Sequence, residues 1–337
     1  MSDVNRQIVI KELPSEKLDP SLFEMRDGDL PEPGEGEILV RTLFLSLDAA
    51  NRAWMQGKTY KSPVLAGEVM HGYSISQVVT SNSEKFAVGD VVEGQGNWQE
   101  YAILPERQAG KVVARGPLSH QMSILGVTGL TAYFGLLNVG EPKEGETIVV
   151  SAAAGAVGNV VGQIGKIKGC RVVGIAGSDE KCKWLTDELG FDAAINYKSE
   201  NVFQALKEAC PDGIDVYFDN VGGEILGNVL RQMNLHGRIA CCGAVSQYDT
   251  GQPDPSPAGL PGILVVNRIK MQGFIVMDFY AEKRKACDEI AQWVEEGKLK
   301  IKEDIIDGLE NAPAALVGLL HGENYGKRMI KVSDPTS

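Results

Sequence analysis

T-I-V-V-S-A-A-A-G-A-V-G-N-V-V-G, residues 147–162, decides the fold. Thr147 to Val150 read as a buried strand, the small residues after them as a tight turn, and G-N-V-V-G-Q-I-G-K-I-K from Gly158 as a helix. A strand that runs through a glycine turn into a helix suits a dinucleotide. Gly155 and Gly158 let the backbone approach a pyrophosphate and let helix pack on strand, while the helix N-terminus offers unpaired N–H groups and a positive dipole end. Ala153, with Ala152 before it, replaces the first glycine of G-x-G-x-x-G, and counted from Ala152 the run is an A-x-x-G-x-x-G variant, so a glycine turn in an unrelated α/β sheet is the competing reading of this motif alone.

The text on either side extends the pattern. Downstream come strand R-V-V-G-I-A, helix D-E-K-C-K-W-L-T-D-E-L, strand A-A-I-N, strand D-V-Y-F-D at 215–219, a helix from about Glu224 to Leu235, and strand R-I-A-C-C-G at 238–243. Strands alternating with helices at this pitch predict a parallel sheet of at least five strands, helices on both faces. A Pro- and Gly-rich stretch, Gln252 to Gly262, then interrupts as either a mobile lid or a solvated connector, before strand M-Q-G-F-I-V and a helix around Lys283–Glu296. Upstream, to about Leu125, short alternating strands such as G-E-I-L-V-R-T-L-F-L-S-L at 36–47 predict a mostly β region, and the chain ends in a β-rich piece closing on G-K-R-M-I-K-V.

The second strand of the doubly wound sheet bears on the cofactor. Its tip, Gly177 and Ser178, carries no carboxylate for the ribose hydroxyls and leaves room for a 2′-phosphate, which Lys181 one turn along can neutralise. NADP(H) is therefore expected over NAD. Asp179 opposes that reading, but at a helix start it serves as cap or dipole partner.

At 337 residues the chain suits two domains, and 43% hydrophobic with 23% charged residues describes a soluble globular protein. A formal charge of -12 disfavours nucleic acid and anionic membrane as partners. No leader-like or membrane-spanning stretch is read, so the expected location is cytoplasmic. The six cysteines (Cys170, Cys182, Cys210, Cys241, Cys242, Cys287) form no C-x-x-C pair and none precedes 170, so the catalytic and structural ligand sets of zinc alcohol dehydrogenases are missing. Glu68 and His71 in A-G-E-V-M-H-G read as a solvated or hydrogen-bonded pair, and no metal is expected.

Beyond these blocks, L-S-L-D at 45–48, G-V-T-G-L-T-A-Y-F-G-L-L at 126–137, G-F-D-A-A-I-N-Y-K and G-R-I-A-C-C-G-A-V-S-Q-Y occur in an order that resembles the zinc-independent medium-chain dehydrogenases/reductases. Within that family the likeness is to prostaglandin and leukotriene-B4 reductases, plant alkenal double-bond reductases and bacterial curcumin-type reductases, especially the 15-oxoprostaglandin 13-reductase branch. The resemblance implies a GroES-like β-rich catalytic domain over 1–128 and 300–337, a Rossmann NADP-binding domain over 129–299, NADPH in the cleft, and a homodimer. It implies a pyrophosphate loop at Gly155, Ala156, Val157 and Gly158, with 2′-phosphate and adenine contacts at Lys181 and Tyr197. It implies further cofactor contacts at Asn220, at Cys242, Gly243, Ala244, Val245, Ser246 and Tyr248 under the nicotinamide, at Phe274, Ile275 and Val276 beside it, and at Asn324. One departure is that many members carry a tyrosine in D-P-Y-M-R, whereas this chain has D-A-A-N-R-A-W-M, with Asn51 read where that tyrosine would stand.

Without a metal, a hydride can go to the β-carbon of an enone, because the electron pair moves onto the carbonyl oxygen and needs only hydrogen-bond donors there. Reduction of the C=C bond of α,β-unsaturated ketones or aldehydes is thus the expected activity. Tyr248, just past the carboxyl end of a strand, is the leading donor, with holding the ribose as its alternative role. Tyr73 in H-G-Y-S-I-S matches an active-site tyrosine of the plant reductases, or else simply packs. The competing functions are an NADPH quinone or alcohol oxidoreductase on the same fold, and an NADPH-binding protein without turnover.

Overall fold

The computed structural model describes residues 4–57, 59–113, 115–250 and 257–336, so 252–256 of the Pro- and Gly-rich stretch lie outside the described residues. The chain divides into two compact units. One comprises Met1–Met122, Glu303–Glu323 and Arg328–Ser337; the other comprises Ser123–Lys302 with Asn324–Lys327.

The second unit is built on a parallel sheet of six strands: β1 (Thr147–Val150), β2 (Arg171–Ala176), β3 (Ala193–Asn196), β4 (Ile214–Asp219), β5 (Met233–Cys241) and β6 (Lys270–Gly273). Their order is β3-β2-β1-β4-β5-β6, and every neighbouring pair is parallel. This is the doubly wound arrangement, whose direction of winding reverses between β1 and β4. The crossovers are α1 (Gly158–Ile167), α2 (Asp179–Asp187), α3 (Val202–Ala209), α4 (Gly223–Leu230) and α5 (Leu260–Asn267), with α6 (Lys283–Glu295) beyond β6. β1 is apolar and fully buried, as a central strand covered on both faces must be.

Glycines set how tightly α1 lies on the sheet. A Cβ at Gly162 would fall 1.9 Å from Phe191 Cζ, and one at Gly165 would lie 2.9 Å from both Ile148 Cδ1 and Val172 Cγ2. Small residues on this face thus let the helix axis approach the strands, and larger ones would push it away.

Two expectations are corrected. The helix after β4 stops at Leu230 instead of near Leu235, because Asn234 turns its amide onto Asp212 O and Asp215 Oδ1, and His236 adopts φ of 62°. The extra residues form a bulge inside β5. The terminal piece read as β-rich also holds the helix Ala312–Leu320, opened by Pro313 in its first turn.

The first unit is an antiparallel β-structure made from both chain ends. Its long strand Glu37–Ser46 pairs with Ser74–Ser81, with Tyr101–Pro105 and, at 329–331, with the C-terminal strand. Leu45, Leu47, Trp98, Leu316 and Ile330 are among the buried residues of its core. No helix among the described residues is long and apolar enough to cross a membrane.

Replacing Gly162 by alanine is expected to destabilise the protein by about 1–3 kcal/mol through overpacking against Phe191. Urea denaturation of the two proteins checks this; an unchanged midpoint would mean α1 is free to lift from the sheet.

Candidate functional site

The carboxyl ends of β1 and β4 are joined at the switch point by buried polar groups. Ser151, just after β1, donates through its hydroxyl to Asp219 Oδ1 (3.3 Å) and receives the Asn220 backbone N–H (2.9 Å), while Asn220 Nδ2 donates to Ser151 O (2.7 Å). Asp219 Oδ1 also accepts from Tyr217 Oη and from the N–H groups of Val221 and Gly222. Loss of solvent nevertheless holds this carboxyl above its ordinary range, the hydrogen bonds only partly offsetting it. Asn220 thus acts as a clamp between strands, a role the sequence did not announce.

Between β1 and α1 the chain turns under severe spatial limits. Ala152 adopts φ of 48°, Gly155 N–H bonds back to Ala152 O (2.9 Å), and a Cβ at Gly158 would fall 2.4 Å from that same carbonyl oxygen. Only glycine fits at 158 without moving backbone. The N–H groups of Ala156, Val157 and Gly158 have no acceptor among the described residues, and they stand at the positive end of α1. Segment 324–327 closes over the turn: Gly326 N–H donates to Ala154 O, and Asn324 Nδ2 donates to Gly326 O. Lys327, only 2% exposed, lines a small hollow with Ala156 and Asn159.

Ser178 caps α2 by accepting from Lys181 N–H, and Asp179 is engaged by Asn196 Nδ2 at 2.7 Å. Gly177 faces the Tyr197 ring, whose own exposure is 45%. Lys181 is buried with its ammonium 5.1 Å from the centre of the Tyr325 ring, and Tyr325 packs edge-on against Trp184. Lys198, whose Cε would lie 3.4 Å from a Cβ at Gly177, brings a second cation to the tip. Tyr325, Lys198 and Lys327 escaped the sequence reading, although the first two adjoin the chosen Asn324 and Tyr197.

Past β5, Cys242 and Gly243 N–H groups bond to Asp219 O, and Ser246 Oγ donates to Val221 O, so the loop is tied to the end of β4. Tyr248 folds back on its own loop, its Oη accepting the Ala244 N–H at 3.1 Å. Burial pushes the phenol above its usual value, so it keeps its proton through the neutral range. Desolvation likewise drives the Cys242 thiol up to about 12, which makes it inert as a nucleophile. Val245 sits in the short helical turn before Tyr248; Phe274 packs edge-on to Phe218, Ile275 follows, and Val276 is buried.

In the first unit, Tyr73 is half-buried against the group containing Ile75, Met122 and Met329. Asn51 requires a correction. Counted from Asp48, the family tyrosine falls on Ala50, and Asn51 is the next residue, 1% exposed. Its Oδ1 accepts the Asp48 N–H (2.8 Å) and its Nδ2 donates to His71 O (2.9 Å). It is an internal tie, with no side-chain atom left to line a pocket. Glu68 and His71 are not joined by a hydrogen bond: Glu68 accepts the Leu65 N–H, and His71 Nδ1 is buried without a partner.

Two family patterns match the chain, one described as the N-terminal domain of oxidoreductase over residues 6–112, the other as zinc-binding dehydrogenase over 156–295. The chain belongs to the medium-chain dehydrogenase/reductase family. Within it, the chain is 44% identical to the NADPH-dependent curcumin reductase of Escherichia coli, over 98% of this chain and 97% of that one. It is also 44% identical to prostaglandin reductase 1 of Bos taurus, over 92% and 93% of the two chains. The solved structure of CurA from Vibrio vulnificus in complex with NADPH superposes with a TM-score of 0.93 at 42% identity, covering 98% of this chain and 100% of that one. The zinc in the second family's description has no fitting donor set here, since no group of three or more His, Cys, Asp or Glu side chains among the described residues could hold a metal ion.

Asn51→Ala is expected to cost about 2–4 kcal/mol, leaving the Asp48 donor and the His71 acceptor unpaired. Its urea midpoint, measured beside that of Ala50→Tyr, separates an internal tie from a pocket position; an unaffected midpoint for Asn51→Ala would refute the tie.

Proposed function

We propose that the protein reduces the C=C double bond of α,β-unsaturated ketones and aldehydes with NADPH, and that the first unit is its GroES-like catalytic domain and the second its cofactor domain. The observation that carries this is the carboxyl edge of the six-stranded sheet. There the α1 cradle, the β2 tip and the loop holding Tyr248 follow β1, β2 and β5, on either side of the switch point between β1 and β4. The full-length likeness to reductases named for NADPH, curcumin and prostaglandin supports the same reading.

The residues fit the cofactor. Ala156, Val157 and Gly158 N–H groups would hold the pyrophosphate, Lys327 adding charge; Gly177, Ser178, Lys181, Lys198 and Tyr197 would surround the 2′-phosphate and adenine. Asp179, already engaged by Asn196, is withdrawn from the ribose, which favours NADPH over NADH. Asn220, Cys242 to Ser246, Phe274 to Val276 and Asn324 would shape the nicotinamide end. When bound, NADPH supplies a hydride. The enone gains it at the β-carbon, its π-electron pair moves to the carbonyl oxygen, and the α-carbon takes a proton, giving the saturated carbonyl. Tyr248, held by the Ala244 N–H and protonated at neutral pH, would donate to that oxygen; Tyr73 is the second candidate donor.

The location proposed is the cytoplasm and the assembly a homodimer, for which helix α5 offers an apolar surface with Val265 and Val266 exposed at 74% and 67%. Val266→Glu is expected to convert a dimer to monomer in sedimentation; a wild-type monomer would refute the assembly.

The activity is tested by following NADPH consumption with 2-nonenal, a 15-oxo-prostaglandin and a quinone, with NADH as control and product mass recorded. Saturated carbonyl products with NADPH preferred are expected; turnover of the quinone alone, or none despite NADPH binding, would overturn the reading. Tyr248→Phe is expected to lower kcat/KM for enones by about 100-fold, with kcat carrying most of the loss, and Tyr73→Phe by less. A rise confined to the NADPH KM would instead make Tyr248 a ribose contact.

A further inference from the structure

Asn196 ends β3 and pairs in parallel register with Ala176, which ends β2, so the sheet itself sets Asn196 beside the β2 tip. The residue is 6% exposed. Its backbone is fixed on both sides: the N–H donates to Glu200 Oε1 (2.6 Å), and the carbonyl accepts the N–H groups of Ser199 (3.2 Å) and Glu200 (2.9 Å). The side chain therefore leaves from a closed turn. Its amide meets two partners of opposite kind. The Lys198 backbone N–H (3.1 Å) can only donate, so Oδ1 must face it, and Nδ2 is left to donate to Asp179 Oδ1 (2.7 Å). Turned over, the amide would set its NH2 against an N–H and its oxygen against a carboxylate, so the partners dictate its direction.

We propose that Asn196 is a specificity-determining residue of the cofactor site, a positioning residue that enforces NADPH over NADH by tying Asp179 back onto β3. The inference rests on the NADPH reading above and adds to it the side chain that maintains the preference and the direction in which that side chain must point.

Asp179 is the first residue of α2, directly after the Ser178 cap and two residues before Lys181. Gly177, with the Tyr197 ring and the Lys198 side chain beside it, lies two residues before Asp179. The carboxylate thus stands among the groups assigned to the 2′-phosphate, and among the described residues no donor other than Asn196 meets it. A phosphate monoester carries about two negative charges at neutral pH, so a carboxylate free to turn toward it repels it. The same carboxylate would accept from the ribose hydroxyls of NADH. Asn196 decides between these outcomes because a neutral amide donor holds the acid in place without adding charge of its own.

The test is equilibrium binding of NADPH, NADH and adenosine 2′,5′-bisphosphate to the full-length protein with no enone present. Asn196→Ala is expected to lower the ratio of NADPH to NADH affinity by about tenfold, the loss falling on NADPH and on the bisphosphate. Asn196→Ser, which keeps an oxygen for the Lys198 N–H and disturbs the turn less, is expected to shift the ratio the same way. Adding Asp179→Ala to either variant is expected to bring the ratio back to within about threefold of wild type, a recovery that a merely structural loss at 196 would not show. Equal weakening of both cofactors, or a ratio that Asp179→Ala fails to restore, would overturn the proposal. Because binding is read without substrate, failure of this assignment and failure of enone reduction are told apart.

Discussion

The site depends on one close approach: the passage from β1 into α1, where Ala152 O lies so near the path of the chain that residue 158 must lack a side chain. That contact orients the first turn of α1, leaving three N–H groups without an acceptor among the described residues. Every other feature of the edge is arranged about it. Segment 324–327 closes on Ala154 beside the turn, and Gly162 and Gly165 keep the rest of the helix pressed against the strands. A larger residue at 158 would move the cradle and the helix dipole together.

The second dependence is electrostatic. Ser151, Asp219 and Asn220 join β1 to β4 across the reversal point through buried hydrogen bonds, and the backbone of the loop carrying Tyr248 hangs from Asp219 O. The Asp219 carboxyl is held above its normal range by burial, so this link is stabilised by four donors instead of by exposure to water. Tyr248 owes its orientation to the same chain of contacts, since the Ala244 N–H that meets its oxygen belongs to that loop.

Much of this was legible in the residues. The alternation of apolar strands and amphipathic helices after Gly145 specified a parallel doubly wound sheet, and the glycine spacing located the tight turn between β1 and α1, because both follow from local chain geometry. The end of α4 was misjudged because an apolar period through Leu235 outlasts the helix; Asn234 bonding to Asp212 and Asp215 decides where it stops, a tertiary effect no local pattern contains. Asn51 was misread by one position in an unmatched block, and its burial gives the opposite role. Tyr325, Lys198 and Lys327 are polar groups whose placement depends on which segments meet at the edge, which spacing along the chain does not report.

The central claim is that hydride reaches the β-carbon of an enone held beside the Tyr248 loop. It is tested most directly with NADPH carrying deuterium at the transferred position and an α,β-unsaturated ketone as acceptor, the product being analysed by NMR. Deuterium at the β-carbon of a saturated ketone, with solvent hydrogen at the α-carbon, is the predicted result. Deuterium at the former carbonyl carbon of an allylic alcohol would contradict it.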